Sequence, residues 1–186
     1  MLQALAGEDL PWHQVDVLQV DERIAPTGHE ERNLTLLHDC LSARGPSSKA
    51  RVHAMPVEDD DLDAAAARYA RTIESVCGSP PVLDMVHLGL GADGHTASLV
   101  PDDAVLDVDD DWVTVTQPYQ GRRRMTLTYP VLDGARSVMW LVTGAGKADM
   151  LARLMAGDPD VPAGRVRSAR AIVFADRDAA AALPAC

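Results

Sequence analysis

The chain has 186 residues, 47% of them hydrophobic, which suffices for one domain with a sizeable core and is too few for two ordinary domains. Its net charge of -11, with no basic stripe interleaved with aromatics, excludes a general nucleic-acid-binding surface. An anionic substrate would have to be met by a local cluster of cations against an unfavourable overall field.

The opening segment MLQALAGEDLPW lacks the charged and apolar regions of a signal peptide, and no apolar run is long enough to span a bilayer. Cys40, Cys77 and Cys186 are few, odd in number and widely spaced, which fits a reducing compartment with neither a disulfide framework nor a zinc site. A cytoplasmic protein is expected, and no oligomeric state is assigned.

Taken in chain order, VDVLQV (residues 15–20) reads as a strand closed by the charged turn DERIAP. Residues 32–43 carry apolar side chains at helical spacing, and 52–55 form a short strand. Acids at 58–61 favour the start of an alanine-rich helix running to Val76, which Pro80 and Pro81 prevent from continuing. Residues 83–90 are a nearly continuous apolar run, suited to a strand buried on both faces of a parallel sheet. Strands follow at 112–116, 125–128 and 138–142, then a helix at 147–155, a strand at 171–175 and a last alanine-rich helix from Asp178.

Strands alternating with helices imply a single α/β domain over residues 1–186, with an open, mainly parallel, Rossmann-like sheet flanked by helices. Ligands of such sheets bind beyond the carboxyl ends of the strands. The segments after Val20, Leu88 and Val142 all lie at such ends.

The second of these is HLGLGADGHTASLVP, residues 87–101. Gly89, Gly91 and Gly94 fit the dinucleotide pattern G-x-G-x-x-G, which requires a sizeable helix after the loop. Here Pro101 cuts that helix short, and the acids about 20 residues on precede a strand instead of closing one. The alternative is a nest of backbone N–H groups over residues 91–96, at a short helix start, that cradles an anion. Asp93 and His95 then stand beside it as a proton-transfer pair. A histidine that merely caps the loop fits these residues as well.

LGLGADGHTASLVP resembles the glycine-histidine segment of the 6-phosphogluconolactonases, within the wider family of sugar-phosphate isomerases and deaminases. The likeness continues in family order through VDERIAP with Asn33 following, RRRMTLTYPVL, LVTGAGKADML, and VPAGRV with VFADRDAAAAL. The related deaminases end the same loop in Asn-Glu-Pro, whereas Ser98 to Pro101 here favours the lactonase branch.

The resemblance implies hydrolysis of the sugar-phosphate lactone 6-phosphogluconolactone to 6-phosphogluconate in the oxidative pentose phosphate pathway, without metal or organic cofactor. It implies that His95 activates water and returns the proton to the departing ring oxygen. Asp93 orients that imidazole or holds the loop by local bonds. Arg23 and Arg124 hold the substrate, since a guanidinium suits phosphate, while Gly91 and Gly94 shape the anion pocket. Lys147 contacts substrate or is an ordinary first-turn residue, and Asp21 and Glu22 fix Arg23 in place. Arg122 and Arg123 read as surface charge, His87 as a satisfied core residue, and the remaining histidines share no metal-ligand spacing.

Two departures accompany the resemblance. Family members begin with a helix and a strand leading to a Ser-Gly-Gly loop that is not found here, so the chain reads as N-terminally shortened. Arg32 stands where the family usually has serine. A non-catalytic sugar-phosphate-binding relative and an amino-sugar-phosphate deaminase or isomerase are the alternative readings.

Overall fold

The computed structural model describes residues 1–41, 45–168 and 170–184. The acids at 58–61 do what their position suggests: Asp61 Oδ1 accepts the Ala64 N–H at 2.9 Å and starts the longest helix, Leu62–Cys77. Gly78, at φ +85°, ends it in a conformation that side chains resist. Ala65, Ala66, Tyr69 and Ile73 form the buried stripe of this helix, α3, at helical spacing. The other α-helices are α1 (Leu2–Ala6), α2 (Asn33–Leu41), α4 (Tyr129–Asp133) and α5 (Ala148–Met155). None of the described helices is long and apolar enough to cross a membrane.

Among the described residues, eight strands make three sheets. β1 (Asp16–Leu18) pairs in parallel with β3 (Arg51–His53). β4 (Val86–Leu88), β7 (Val138–Val142) and β8 (Ala171–Ala175) form a second parallel sheet in that order. β2 (Asp21–Arg23), β6 (Arg124–Leu127) and β5 (Val113–Val115) form a third, antiparallel sheet with β6 central. The α/β class with parallel ladders and flanking helices is as the element order implied. A continuous core joins the pieces, with Leu88, Leu99, Met125, Leu127, Trp140 and Leu151 among its members.

Several expectations are corrected. Residues 21–23, expected in a turn, form a strand, and their charge masks the period-2 pattern that reveals it. Glu22 points inward and is fully buried, while Asp21 and Arg23 point the other way. The Glu22 carboxylate accepts the N–H groups of Arg23, Asn33 and Leu34, each at 2.8 Å, and lies 3.1 Å from Arg32 Nε. It therefore caps α2 and neutralises Arg32, and holds Arg23 only by its backbone.

No α-helix follows the glycine loop, which closes through a bridge between Thr96 and Leu99 and is followed by a single 3-10 turn, Ala104–Asp107. The segment after Asp178 is a single 3-10 turn, Ala179–Ala182. Finally, residues 83–90 are buried on one face only, with Val86 and Leu88 inside and Met85 59% exposed. His87 is half-buried on the other face, and its Nε2 is without a partner, so it is not the satisfied core residue expected. The end of the helix expected at 32–43 and Cys186 lie outside the described residues.

Candidate active site

The register of the antiparallel sheet places Arg23 directly opposite Arg124. Like charges facing each other across a ladder repel, so an anion between them is favoured. Burial, then the neighbouring Arg23 charge, pushes the Arg124 guanidinium below its ordinary range. The Nε atoms of both arginines are buried without a partner. Among the described residues neither arginine, nor Lys147, lies within salt-bridge distance of a carboxylate. Cationic donors left unmatched in this way are what a phosphate requires.

The glycine loop leaves the carboxyl end of β4 and is pinned to the antiparallel sheet. Ser98 Oγ donates to Asp21 Oδ2 at 2.7 Å, and the Ser98 N–H donates to Thr126 Oγ1 at 3.2 Å. Asp21 is half-buried, and loss of solvent pushes its carboxyl above the ordinary range against the opposing effect of the Ser98 bond. Asn33 Nδ2 donates to its other oxygen at 3.0 Å.

Within the loop, the expected run of free N–H groups over 91–96 is broken, because four of the six are bonded inside the loop. The Gly91 N–H bonds His95 O at 2.8 Å, the Gly94 N–H bonds Gly91 O at 3.2 Å, and the Thr96 N–H bonds Leu99 O. The His95 N–H turns to Asp93 Oδ1 at 3.3 Å. Donors engaged in closing the loop are not available to a ligand.

What the loop does present is a side-chain pair. His95 Nδ1 lies 2.6 Å from Asp93 Oδ1. Burial raises the Asp93 carboxyl, but hydrogen bonds from Tyr119 and His95 outweigh it and leave Asp93 below the usual carboxylate range. An ionised Asp93 makes Nδ1 the donor and leaves Nε2 as the basic nitrogen. Gly91 is where the pair rests. A Cβ there would stand 2.1 Å from His95 Nδ1 and 2.5 Å from Asp93 Oδ1, so any side chain would displace both.

Arg23, Gly91, His95, Arg124 and Lys147 line one pocket of about 260 Å³, together with Asp21 and Asn33. Val20, Leu88 and Gly89 line it too, so the strand ends expected to bear ligand do converge. Asp93 stands behind His95 and outside the lining. Gly94 is not at the pocket: at φ +85° it turns the chain, and a Cβ there would meet Val161 at 2.9 Å. Lys147 closes the 3-10 turn Ala145–Lys147 just before α5, at the end of β7. A larger cleft of about 960 Å³, flanked by Tyr129, Asp133, Arg165 and Arg167, takes none of the candidate residues.

Tyr119 escaped the sequence reading. Its Oη donates to Asp93 Oδ2 at 2.7 Å, and the Arg124 guanidinium lies over its ring, 4.9 Å from the centroid. It sits in the turn QPYQG between β5 and β6, where composition signals a turn and nothing more. No group of three or more His, Cys, Asp or Glu residues among those described could hold a metal ion.

Residues 1–174 match the family described as glucosamine-6-phosphate isomerases/6-phosphogluconolactonase. A 6-phosphogluconolactonase of Nostoc sp. is 35% identical over 164 residues, covering 86% of this chain and 68% of that protein. One of Mycobacterium tuberculosis is 38% identical over an alignment of 190 residues, covering 96% of this chain and 77% of its own. The crystal structure of 6-phosphogluconolactonase from Thermotoga maritima superposes with a TM-score of 0.81 at 29% identity, covering 94% of this chain and 78% of that one.

Proposed function

The chain belongs to the glucosamine-6-phosphate isomerase/6-phosphogluconolactonase family, and on that premise we propose that it hydrolyses 6-phosphogluconolactone to 6-phosphogluconate in the oxidative pentose phosphate pathway. The proposal takes residues 1–186 as one cytoplasmic enzyme domain acting on a small molecule and not on nucleic acid. The observation that carries the mechanism is the His95–Asp93 pair at a pocket lined by three cations without carboxylate partners.

In this reading Arg23 and Arg124 clamp the phosphate, which fixes the lactone ring over His95. His95 Nε2 takes a proton from water as the water oxygen bonds the lactone carbonyl carbon. Negative charge gathers on the carbonyl oxygen, and with four of the six loop N–H groups over 91–96 already bonded, the Lys147 ammonium and the guanidiniums that line the pocket are the cationic donors that stabilise it. Collapse breaks the bond from the carbonyl carbon to the ring oxygen, which receives the proton from His95. Asp93 balances the transient imidazolium and holds the ring by Nδ1.

The test is His95→Asn. Lactone hydrolysis above the spontaneous rate is expected to fall ~100-fold or more with an unchanged circular dichroism spectrum. Wild-type turnover in that variant removes His95 from the mechanism. Binding of 6-phosphogluconate by calorimetry without any hydrolysis by the parent chain would replace the proposal with a non-catalytic one. Ammonia release from glucosamine 6-phosphate would replace it with a deaminase.

A further inference from the structure

The hydrogen-bond chain behind His95 does not end at Asp93. Oδ1 of that carboxylate serves the His95 ring and backbone, and Oδ2 accepts the Tyr119 hydroxyl at 2.7 Å. The direction of this last bond is set from outside, because Gln120 Nε2 donates to Tyr119 Oη at 3.2 Å and leaves the phenol proton for Asp93. Burial and then the Asp93 carboxylate push the phenol above its ordinary range, so the donor stays protonated.

Tyr119 lies 26 residues from Asp93 on a different turn, so the contact ties the β4 loop to the β5–β6 hairpin. A carboxylate bonded at one oxygen swings about its broad terminal torsion; one bonded at both oxygens to separate segments has a single orientation. The same ring seats Arg124, whose guanidinium lies 4.9 Å from its centroid. Tyr119 is thus braced between the proton-transfer pair and a candidate anion-binding arginine.

We propose that Tyr119 is a positioning residue of the reaction: its hydroxyl locks the Asp93 carboxylate so that His95 is held as the Nδ1–H tautomer with Nε2 free for water. This rests on the assignment of His95 as the base. Tyr119→Phe removes the hydroxyl and keeps the ring on which Arg124 sits.

The first measurement needs no turnover. Long-range proton–nitrogen spectra of the full chain, with the His95 signals assigned by their loss in His95→Asn, report the tautomer of each neutral imidazole. Tyr119→Phe is expected to shift the His95 ring toward a mixture of tautomers while the other five histidines keep theirs. An unchanged His95 ring overturns the proposal.

The second measurement is a double-mutant cycle on lactone hydrolysis. Tyr119→Phe is expected to lower kcat ~3- to 10-fold with KM within about twofold, the size of one hydrogen bond. In the Asp93→Asn background the same change is expected to alter kcat less than about twofold, since only the long 3.4 Å contact of its hydroxyl with His95 Nδ1 then links it to the ring. An equal loss in both backgrounds, or none in the first, overturns the proposal. Wild-type activity in His95→Asn would instead remove the base assignment, leaving the tautomer result to stand or fall by itself.

Discussion

Gly91→Ala is the sharpest probe of the site, because the backbone at Gly91 tolerates a side chain and only the space beyond it does not. A Cβ would sit 2.1 Å from His95 Nδ1 and 2.5 Å from both His95 Cε1 and Asp93 Oδ1, against an ordinary contact of 3.4 Å or more. The ring nitrogen must therefore retreat by about 1.3 Å (from 2.1 to 3.4 Å) and the carboxylate oxygen by about 0.9 Å (from 2.5 to 3.4 Å), and the unequal shifts break the 2.6 Å bond between them. A displacement of that size costs ~100-fold in rate when it moves a reacting group. The stability cost is smaller, because the His95 side chain is 23% exposed and has solvent to turn toward. One lost hydrogen bond of about 1 kcal/mol lowers the melting temperature of a chain this size by ~2–4 °C. The expected result is a ~100-fold fall in kcat/KM with a melting shift of a few degrees. Wild-type turnover in Gly91→Ala would show that the Asp93–His95 contact has no part in catalysis.

Arg23→Met tests the cation pair. Binding of 6-phosphogluconate is expected to weaken ~10-fold or more by calorimetry, while thermal stability of the ligand-free protein changes little, because the half-buried guanidinium facing Arg124 has no carboxylate partner and only one hydrogen bond, to Glu31 O, to lose. Glu22→Gln tests the buried carboxylate that organises β2 and α2. It faces five donors with no water to replace them, so a loss of ~3–5 kcal/mol is expected in urea unfolding, and a loss below ~1 kcal/mol would contradict its capping role.

Much of the site was legible because glycine, proline and histidine carry local meaning. The loop 89–101 announces itself by Gly91, Gly94 and Pro101 around one histidine, and the strand before it by an apolar run. The three strand ends that converge on the pocket were likewise readable from element order. Gly94 shows the limit of such reading. In sequence it is indistinguishable from Gly91, yet Gly91 supports the Asp93–His95 pair while Gly94 packs on Val161 and Met150.

The opening turn of the chain's charged segment shows the same limit from the other side. DER reads as solvent-facing because charge signals exposure, and Glu22 defeats that rule by gathering backbone N–H groups that lie 11 and 12 residues away. The continuous anion nest is broken for a related reason: whether a loop's amides face a ligand or one another depends on how the chain closes.

The residues alone determined the alternation of strands and helices, an acidic start to the alanine-rich helix within 58–61, and which loop carries the histidine, since each depends on neighbours a few positions apart. The folded chain alone decided that Arg23 faces Arg124, that Tyr119 reaches Asp93, and that Gly94 turns away from the pocket. Those relations join segments up to about a hundred positions apart, and strand register, which sets them, is chosen by the burial of the whole sheet and not by any short stretch of it.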